Sequence, residues 1–160
     1  MILAIDMGNT NIVIGGIDNT KTYFLERVTT YTTRTDLEYS MYIKGILDIH
    51  GIKPSDIEGA ILSSVVPPLN ETIRNAIKKV LGIECMLVES GIKTGLNILM
   101  DNPKTVGSDM IVDAVAAMDE YLLPLAIIDM GTATTISVVD KSGNYIGGII
   151  HPGLRISLDT

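Results

Sequence analysis

The sequence contains little cysteine, few aromatic residues and few basic residues. Its 160 residues include one cysteine and no tryptophan, and aromatic residues make up only 4%. A single cysteine excludes a disulfide within the chain and is typical of the reducing cytosol, so we expect a cytoplasmic protein. The chain has only 12 lysines and arginines but 19 aspartates and glutamates, which gives a formal net charge of −7. Such an acidic chain opposes binding to a phosphate backbone, and we expect no nucleic-acid partner.

Long apolar runs are also lacking. The N-terminal run MILAI meets Asp6 too early for a secretory signal peptide. No other apolar run approaches the roughly 20 residues that span a bilayer, so we expect no membrane partner. Hydrophobic residues nevertheless make up 46% of the chain, which is enough for a buried core. These absences leave a soluble, acidic, globular protein of one domain or two small ones.

One short sequence occurs twice. IDMGNTN occupies residues 5–11, and IDMGTAT occupies residues 128–134. Each copy closes a short apolar run and is followed by two more strand-like runs, which predicts a three-stranded antiparallel meander at each end of the chain. A repeat over so long a distance indicates duplicated domains rather than a solenoid. The second copy is followed only by HPGLRISLDT, the start of a helix, so we expect the second domain to be incomplete.

Helices and strands alternate between the two meanders. Apolar spacing predicts three helices, over 35–48, 67–82 and 109–122. Apolar runs predict two strands, at 57–66 and 85–89, and a loop-rich segment follows at 90–109. Thr35 or Asp36 is expected to cap the first helix, and Gly82 to end the second. The near-continuous apolar run at 57–66 is typical of a strand that is covered on both faces. This order of elements predicts an α/β protein.

A strand that ends in Asp-x-Gly followed by Asn or Thr has a chemistry suited to phosphate. The glycine permits a tight turn and a close approach of backbone N–H groups, which can form a concave anion site. The Asp carboxylate cannot bind phosphate directly because both are anionic, so it would act through a cation or water. Two such turns, carrying Asp6 and Asp129, would clamp a metal–polyphosphate, as phosphoryl transfer requires. The alternative is that both are ordinary hairpin turns, in which Asp, Gly and Asn are common.

Three motifs in order resemble those of the type III pantothenate kinases, in the acetate kinase, sugar kinase, Hsp70 and actin superfamily. They are AIDMGNTNIVIGGID, NPKTVGSDMIVDAVAA and IIDMGTATTISVVD, the last followed by GGIIHPGL. The resemblance runs through the whole chain. It implies an α/β, ribonuclease H-like (actin-like ATPase) fold, with mixed sheets flanked by helices and with duplicated domains. The implied domains are 1–121, with the first phosphate loop and the substrate loop, and 122–160, the start of the second domain with the second phosphate loop.

The resemblance also implies an activity, the ATP-dependent phosphorylation of pantothenate to 4'-phosphopantothenate, which is the first step of coenzyme A biosynthesis. ATP would bind with Mg²⁺, and Asp129 would help to hold a monovalent cation, K⁺ or NH₄⁺. Asp6 would contact Mg²⁺ through water. Known members are dimers, so a homodimer is expected. The implied ATP-binding residues are Asp6, Met7, Gly8, Asn9, Thr10, Asn11, Ile12, Val13 and Thr132.

The implied acceptor site lies around the segment NPKTVGSDM. Asp109 would be the general base that takes the hydroxyl proton of pantothenate, a role that requires hydrogen-bond reach of that hydroxyl. On the residues alone, Asp109 could instead be the N-cap of the helix that follows it. The implied substrate-binding residues are Met100, Gly107, Ser108, Asp109 and Met110.

The chain departs from the family pattern at this acceptor site. Met110 stands where the family has an arginine, and methionine cannot pair with the carboxylate of pantothenate. Met100 replaces a frequent tyrosine, and Ser108 replaces an alanine. A threonine that contacts the substrate in the family belongs to a part that lies beyond these 160 residues. Two other functions therefore stay open, a non-catalytic nucleotide-binding relative such as a regulatory accessory factor, and a kinase of another small acceptor.

Four remaining residues have weaker signals. Arg34 lies near the first helix, where a solvated or capping role is as consistent with the sequence as a role in the site. His50 precedes Gly51 and is expected to interact favourably with a helix C-terminus. His151 has no spaced partner that would indicate a metal site. Cys85 opens an apolar strand and is expected to be buried.

Overall fold

The computed structural model describes residues 1–89 and 92–158. Two compact units form, Met1–Val88 and Glu89–Thr160, and each has its own sheet and its own apolar cluster. The predictions for residues 90 and 91 of the loop-rich segment, and for residues 159 and 160, lie outside the described residues. The domain boundary predicted between residues 121 and 122 falls inside the second unit and stays a prediction.

The first unit is a five-stranded mixed sheet with two helices. In chain order its elements are β1 (Ile2–Met7), β2 (Asn11–Ile17), β3 (Thr22–Thr29), α1 (Asp36–Ile49), β4 (Gly59–Ser64), α2 (Asn70–Leu81) and β5 (Cys85–Leu87). The strand order is β3-β2-β1-β4-β5. The first three strands form the predicted antiparallel meander, and β4 and β5 run parallel to β1.

Side chains alternate along β1 because one face of the sheet packs against apolar side chains of the helices. Leu3, Ile5 and Met7 are buried, whereas Asp6 between the last two is exposed. Leu47 of α1 and Ile73 of α2 join these residues in one apolar cluster. Full burial of such a side chain contributes roughly 1.5–3 kcal/mol. A slip of one residue would reverse the two faces, so this burial fixes the register and keeps Asp6 at the surface.

The ends of the helices follow from their capping residues. Thr35 caps α1 through a capping box, in which its hydroxyl accepts a hydrogen bond from the Glu38 N–H at 3.3 Å and its own N–H donates to the Glu38 carboxylate at 2.8 Å. This confirms the first of the two predicted caps. The second predicted helix is divided, because Pro67–Leu69 form a 3₁₀ turn and α2 begins at Asn70. Gly82 ends α2 with a φ of 71°, which glycine adopts without strain.

The second unit is a four-stranded sheet with helix α3 packed against it. In chain order its elements are β6 (Asn97–Ile98), α3 (Ser108–Glu120), β7 (Leu125–Met130), β8 (Ala133–Val139), β9 (Asn144–Pro152) and α4 (Leu154–Leu158). The strand order is β6-β9-β8-β7, and β7, β8 and β9 form the second predicted meander. Strand β6 lies inside the segment predicted as loop-rich and pairs in parallel with β9. Its two residues become a strand through this tertiary pairing, which the local sequence does not indicate.

The structure shows the contacts of Cys85 and His50, whose roles the sequence indicated only weakly. Cys85 is buried as predicted, and burial raises the pKa of its thiol to about 11. His50 is the C-cap residue that follows α1, at the helix end as expected. Its Nε2 lies 2.8 Å from the Glu26 carboxylate, and its ring stacks on Phe24. Both partners of His50 belong to β3, so the pattern of the helix could not indicate them.

None of the helices in the described parts of the chain combines the length and apolar character that a bilayer crossing requires.

Candidate functional site

Asp6 and Asp129 occupy equivalent positions in the two units. Asp6 is the last but one residue of β1 and pairs with Val13 of β2. Asp129 is the last but one residue of β7 and pairs with Thr135 of β8. Both carboxylate residues are exposed. The repeat seen in the sequence therefore extends to strand position and pairing, which supports an origin by duplication.

Each aspartate is followed by a short loop that closes on itself. In the first loop (residues 8–11), the N–H of Gly8 donates to the carbonyl of Asn11 at 2.9 Å. In the second loop (residues 131–133), the N–H of Gly131 donates to the carbonyl of Ala133, also at 2.9 Å. The paired strands resume one residue earlier after the second loop. The same starting tetrapeptide thus gives two turns of different length.

The residue after the third strand of each meander braces the loop. Thr30 follows β3, and its N–H donates to the carbonyl of Thr10 at 2.9 Å while its hydroxyl donates to the carbonyl of Gly8 at 2.7 Å. Gly153 follows β9, and its N–H donates to the carbonyl of Thr132 at 3.0 Å. Each loop is therefore shaped by a residue about 20 positions further along the chain. Hydrogen bonds to main-chain carbonyls at this range tie the loop to the sheet.

Gly153 has no side chain because the second loop occupies the space that one would need. A Cβ on Gly153 would lie 2.8 Å from the carbonyl carbon of Thr132, and closer still to the carbonyl oxygens of Gly131 and Thr132. Backbone atoms cannot rotate away as a flexible side chain can. Neither Thr30 nor Gly153 is among the predicted site residues. Their shared position after the third strand of each repeat is the signal that could have identified them.

Replacing Thr30 by Val is expected to lower the free energy of unfolding by about 1–2 kcal/mol, because the carbonyl of Gly8 loses its hydroxyl donor while the side-chain shape is kept. Urea unfolding followed by circular dichroism measures the change. Thr29→Val is the matched control, since Thr29 is exposed at the preceding position and should change stability by no more than about 0.5 kcal/mol. Equal losses in the two variants would contradict a brace by the Thr30 hydroxyl.

The predicted ATP-binding residues divide into accessible and buried ones. Those at least partly exposed are Asp6, Gly8, Asn9, Thr10, Asn11, Val13 and Thr132. Met7 and Ile12 are fully buried in the apolar cluster of the first unit. Their side chains serve the packing of the sheet, so these two residues could reach a ligand only through backbone groups.

Four of the five predicted acceptor residues, Gly107 to Met110, lie at the start of α3. Gly107 is the N-cap residue and α3 begins at Ser108, so the N-cap position that was the alternative for Asp109 belongs to Gly107. Asp109 lies in the first turn, where its Oδ1 accepts a hydrogen bond from the Met110 N–H at 2.8 Å. A Cβ on Gly107 would overlap this Oδ1. Glycine thus leaves room for the carboxylate to fold back over the helix start, where a negative charge is favourable.

Met110 and Met100 both pack inside the second unit. Met110 is only 5% exposed, and its Cε would lie 2.8 Å from a Cβ on Gly148. Met100 is partly buried against the same apolar cluster. Asp109, next to Met110, is partly exposed. The carboxylate of Asp109, the predicted base, is therefore accessible to solvent, whereas the side chain of Met110, which replaces the family arginine, is part of the core.

A cavity of about 320 Å³ lies beside Asp129 in the second unit. Asp113 and Glu120 of α3 line it together with Asp129. Carboxylate oxygens are ligands for hard cations, and Mg²⁺ in kinases is held by one or two carboxylates together with water and phosphate. In residues 1–89 and 92–158, no group of three or more His, Cys, Asp or Glu side chains is placed to hold a metal. An exposed carboxylate of this kind, Asp129 in the second unit or Asp6 in the first, suits a cation that also takes ligands from a bound phosphate.

Solved structures with the same arrangement of elements include a candidate N-acetylglucosamine kinase from Porphyromonas gingivalis. Its TM-score is 0.55 at 16% identity, over 93% of this chain and 47% of that one. A reductive activator for a corrinoid, iron–sulfur protein matches with a TM-score of 0.53 at 13% identity, over 88% of this chain and 29% of that one. The chain thus spans about half of the first relative's length and less of the second's. These likenesses show the fold, which is the predicted actin-like ATPase fold with mixed sheets flanked by helices.

A family model described as type III pantothenate kinase matches residues 2–160. The matched region contains both loops, the two residues that brace them and the acceptor segment at the start of α3. The motifs that carried the resemblance are thus part of a match over nearly the whole chain. The chain belongs to the type III pantothenate kinase family.

Proposed function

We propose that the protein transfers the γ-phosphoryl group of ATP to the hydroxyl of pantothenate, which yields 4'-phosphopantothenate for coenzyme A synthesis. Membership of the family supports a kinase that uses ATP and a divalent metal. The observation that carries the proposal is the pair of equivalent loops, each of which follows an exposed aspartate at the same strand position. Phosphoryl transfer depends mostly on positioning and charge neutralisation, and both loops suit that task.

In this proposal each loop contributes groups that bind ATP. Backbone N–H groups of the first loop contact phosphate oxygens, and Thr132 contributes from the second loop. Asp6 would hold Mg²⁺ through water, and Asp129 would hold a monovalent cation, K⁺ or NH₄⁺. Bound there, such cations would supply charge neutralisation for phosphoryl transfer. Thr30 and Gly153 keep the loops in shape without contacting the nucleotide.

Asp109 is the proposed general base. Its carboxylate accepts the hydroxyl proton of pantothenate while the hydroxyl oxygen bonds to the γ-phosphorus and the bond from that phosphorus to ADP breaks. Gly107 leaves room for this carboxylate at the helix start, because a Cβ there would overlap its Oδ1. Ser108 and Met100 belong to the proposed acceptor site as well, and Met110, whose side chain is buried, would contribute backbone groups.

A nucleotide-binding relative without pantothenate kinase activity is the second candidate function. The burial of Met110 favours it, because this side chain can neither pair with a carboxylate nor reach solvent. The buried Met110 is equally consistent with a kinase that phosphorylates another small acceptor. The homodimer and the cytoplasmic location stay predictions under all of these functions.

The test combines ATP titration calorimetry with an assay of pantothenate phosphorylation, in K⁺ and in Na⁺ buffer, on this chain and on any longer natural form. Tighter ATP binding in K⁺ together with turnover of pantothenate is the expected result. ATP binding without turnover in the longer form would select the second candidate. Absence of ATP binding in that form would contradict both.

A further inference from the structure

We propose that Arg34 binds a phosphate group of the ligand held at the first loop. Arg34 lies outside all three motifs, between β3 and α1. The inference rests on the proposed nucleotide-binding function and adds a binding residue to it. The chemistry that would be recognised is a terminal or bridging phosphate of a polyphosphate.

Two tyrosine rings flank the guanidinium of Arg34. Its central carbon lies 4.2 Å from the ring centroid of Tyr31 and 4.7 Å from that of Tyr42. Cation–π contacts at these distances restrict the position and the plane of the guanidinium. Tyr31 is 48% exposed and Tyr42 is 36% exposed, and Arg34 itself is partly exposed. The charge is therefore held in place while a ligand can still approach it.

The segment that carries Arg34 is anchored to the core. Tyr39 of α1 is buried, and its hydroxyl donates to the carbonyl of Tyr31 at 2.9 Å and accepts from the N–H of Tyr31 at 3.2 Å. The N–H of Arg34 donates to the same carbonyl at 3.3 Å, which closes a turn. Backbone and side chain of Arg34 are thus both fixed before any ligand binds, which lowers the entropy cost of binding.

The same segment begins at the brace of the first loop. Thr30, whose N–H and hydroxyl bond to Thr10 and Gly8, directly precedes Tyr31. Four residues span at most about 14 Å when fully extended, and the turn at 31–34 makes the path from Thr30 to Arg34 shorter. Arg34 and the first loop are therefore parts of one hydrogen-bonded substructure.

Within residues 1–89 and 92–158, the charge of Arg34 has no close ion pair. Hydrogen bonds from Thr35 and, to a smaller extent, the charge of Arg34 hold the pKa of Glu38 below its usual range, but none of the salt bridges among the described residues includes the Arg34 guanidinium. The neighbouring Glu38 carboxylate already accepts hydrogen bonds from the N–H and the hydroxyl of Thr35, at 2.8 and 2.9 Å. A planar guanidinium offers paired donors that match phosphate oxygens. In a chain of net charge −7, an oriented arginine that forms no salt bridge with the described residues is suited to an anionic ligand.

The experiment measures dissociation constants for inorganic pyrophosphate and for MgATP in wild type, Arg34→Gln, Arg34→Lys and Lys44→Gln. Lys44→Gln is the control because Lys44 is exposed on α1 and its loss changes the net charge equally. We expect Arg34→Gln to weaken the binding of both ligands by roughly 10–100-fold, because hydrogen bonds to a charged group are lost. The dissociation constants of Arg34→Lys should lie between those of wild type and Arg34→Gln. Those of Lys44→Gln should stay within about twofold of wild type.

Wild-type affinity in Arg34→Gln would overturn the role of Arg34 and leave the kinase proposal intact. Weakened pyrophosphate binding in Arg34→Gln, in a protein that does not phosphorylate pantothenate, would support Arg34 and overturn only the kinase proposal. Equal losses in Arg34→Gln and Lys44→Gln would show a general charge effect and overturn the inference. Absence of pyrophosphate and ATP binding in wild type would overturn it as well. Arg34→Lys guards against misfolding, since it keeps the charge and the alkyl chain.

Discussion

Replacement of Asp109 by Asn is expected to lower kcat for pantothenate by about 10²–10⁴-fold, because an amide cannot accept the hydroxyl proton. The affinity for ATP should stay close to that of wild type. Asn keeps an acceptor for the Met110 N–H, which the carboxylate bonds at 2.8 Å, so the start of α3 should keep its shape. Steady-state kinetics with pantothenate, together with ATP titration, measures both quantities.

Asp119→Asn is the matched control for this prediction. Asp119 is exposed near the end of α3, so the two variants remove the same charge from the same helix. Its kcat should stay within about twofold of wild type, since surface substitutions of this kind have small effects. Near-normal turnover by Asp109→Asn would contradict the role of general base. Loss of ATP binding in that variant would instead place Asp109 in the nucleotide site.

Replacement of Gly153 by Ala is expected to deform the second loop. The new methyl group would collide with main-chain atoms of Gly131 and Thr132, so either the loop or the start of α4 must shift. We expect a loss of about 1–3 kcal/mol in the free energy of unfolding, the usual cost of overpacking. ATP binding should weaken by roughly 10–100-fold, since displacing a binding group by about 1 Å has effects of that size. Urea unfolding and ATP titration measure the two effects.

Gly147→Ala separates this steric effect from the general cost of changing a glycine. Gly147 lies in β9, the strand that Gly153 follows, and a Cβ there would meet no atom of the described residues within 4 Å. Its stability and ATP affinity should stay near those of wild type, or improve slightly because the unfolded chain loses freedom. Similar losses in both variants would show that the contact of Gly153 with the second loop is not the cause.

The repeated elements were predictable because their signals are local. Strands β1 and β7 each consist of an apolar run that ends in Asp and Met before a glycine, and the capping box of α1 is visible as Thr35 followed by Glu38. Family motifs then indicated the fold and the family, and both are confirmed. The division of the second predicted helix was missed because Pro67 and Pro68 are also compatible with the first turn of a regular helix.

Other features depend on contacts between distant residues, which a single sequence does not contain. Strand β6 exists through pairing with β9, and Thr30 reaches the first loop across 22 positions. Met110 could be recognised as a departure from the family arginine, but its burial follows from the packing of α3 against the second sheet. The predicted roles of Asp6, Asp109 and Asp129 stay predictions, which the experiments above address.

The bracing of each loop by the residue after a third strand sets an order of events during synthesis of the chain. The bond from the Thr30 N–H to the first loop can form once Thr30 has been added, whereas the bond from the Gly153 N–H to the second loop must wait until Gly153 has been added. At translation rates of roughly 5–20 residues per second, these two moments are on the order of ten seconds apart. Throughout that interval the first loop of a nascent chain is braced and the second is not, so a ligand that needed both loops, as proposed for ATP, could not assist early folding.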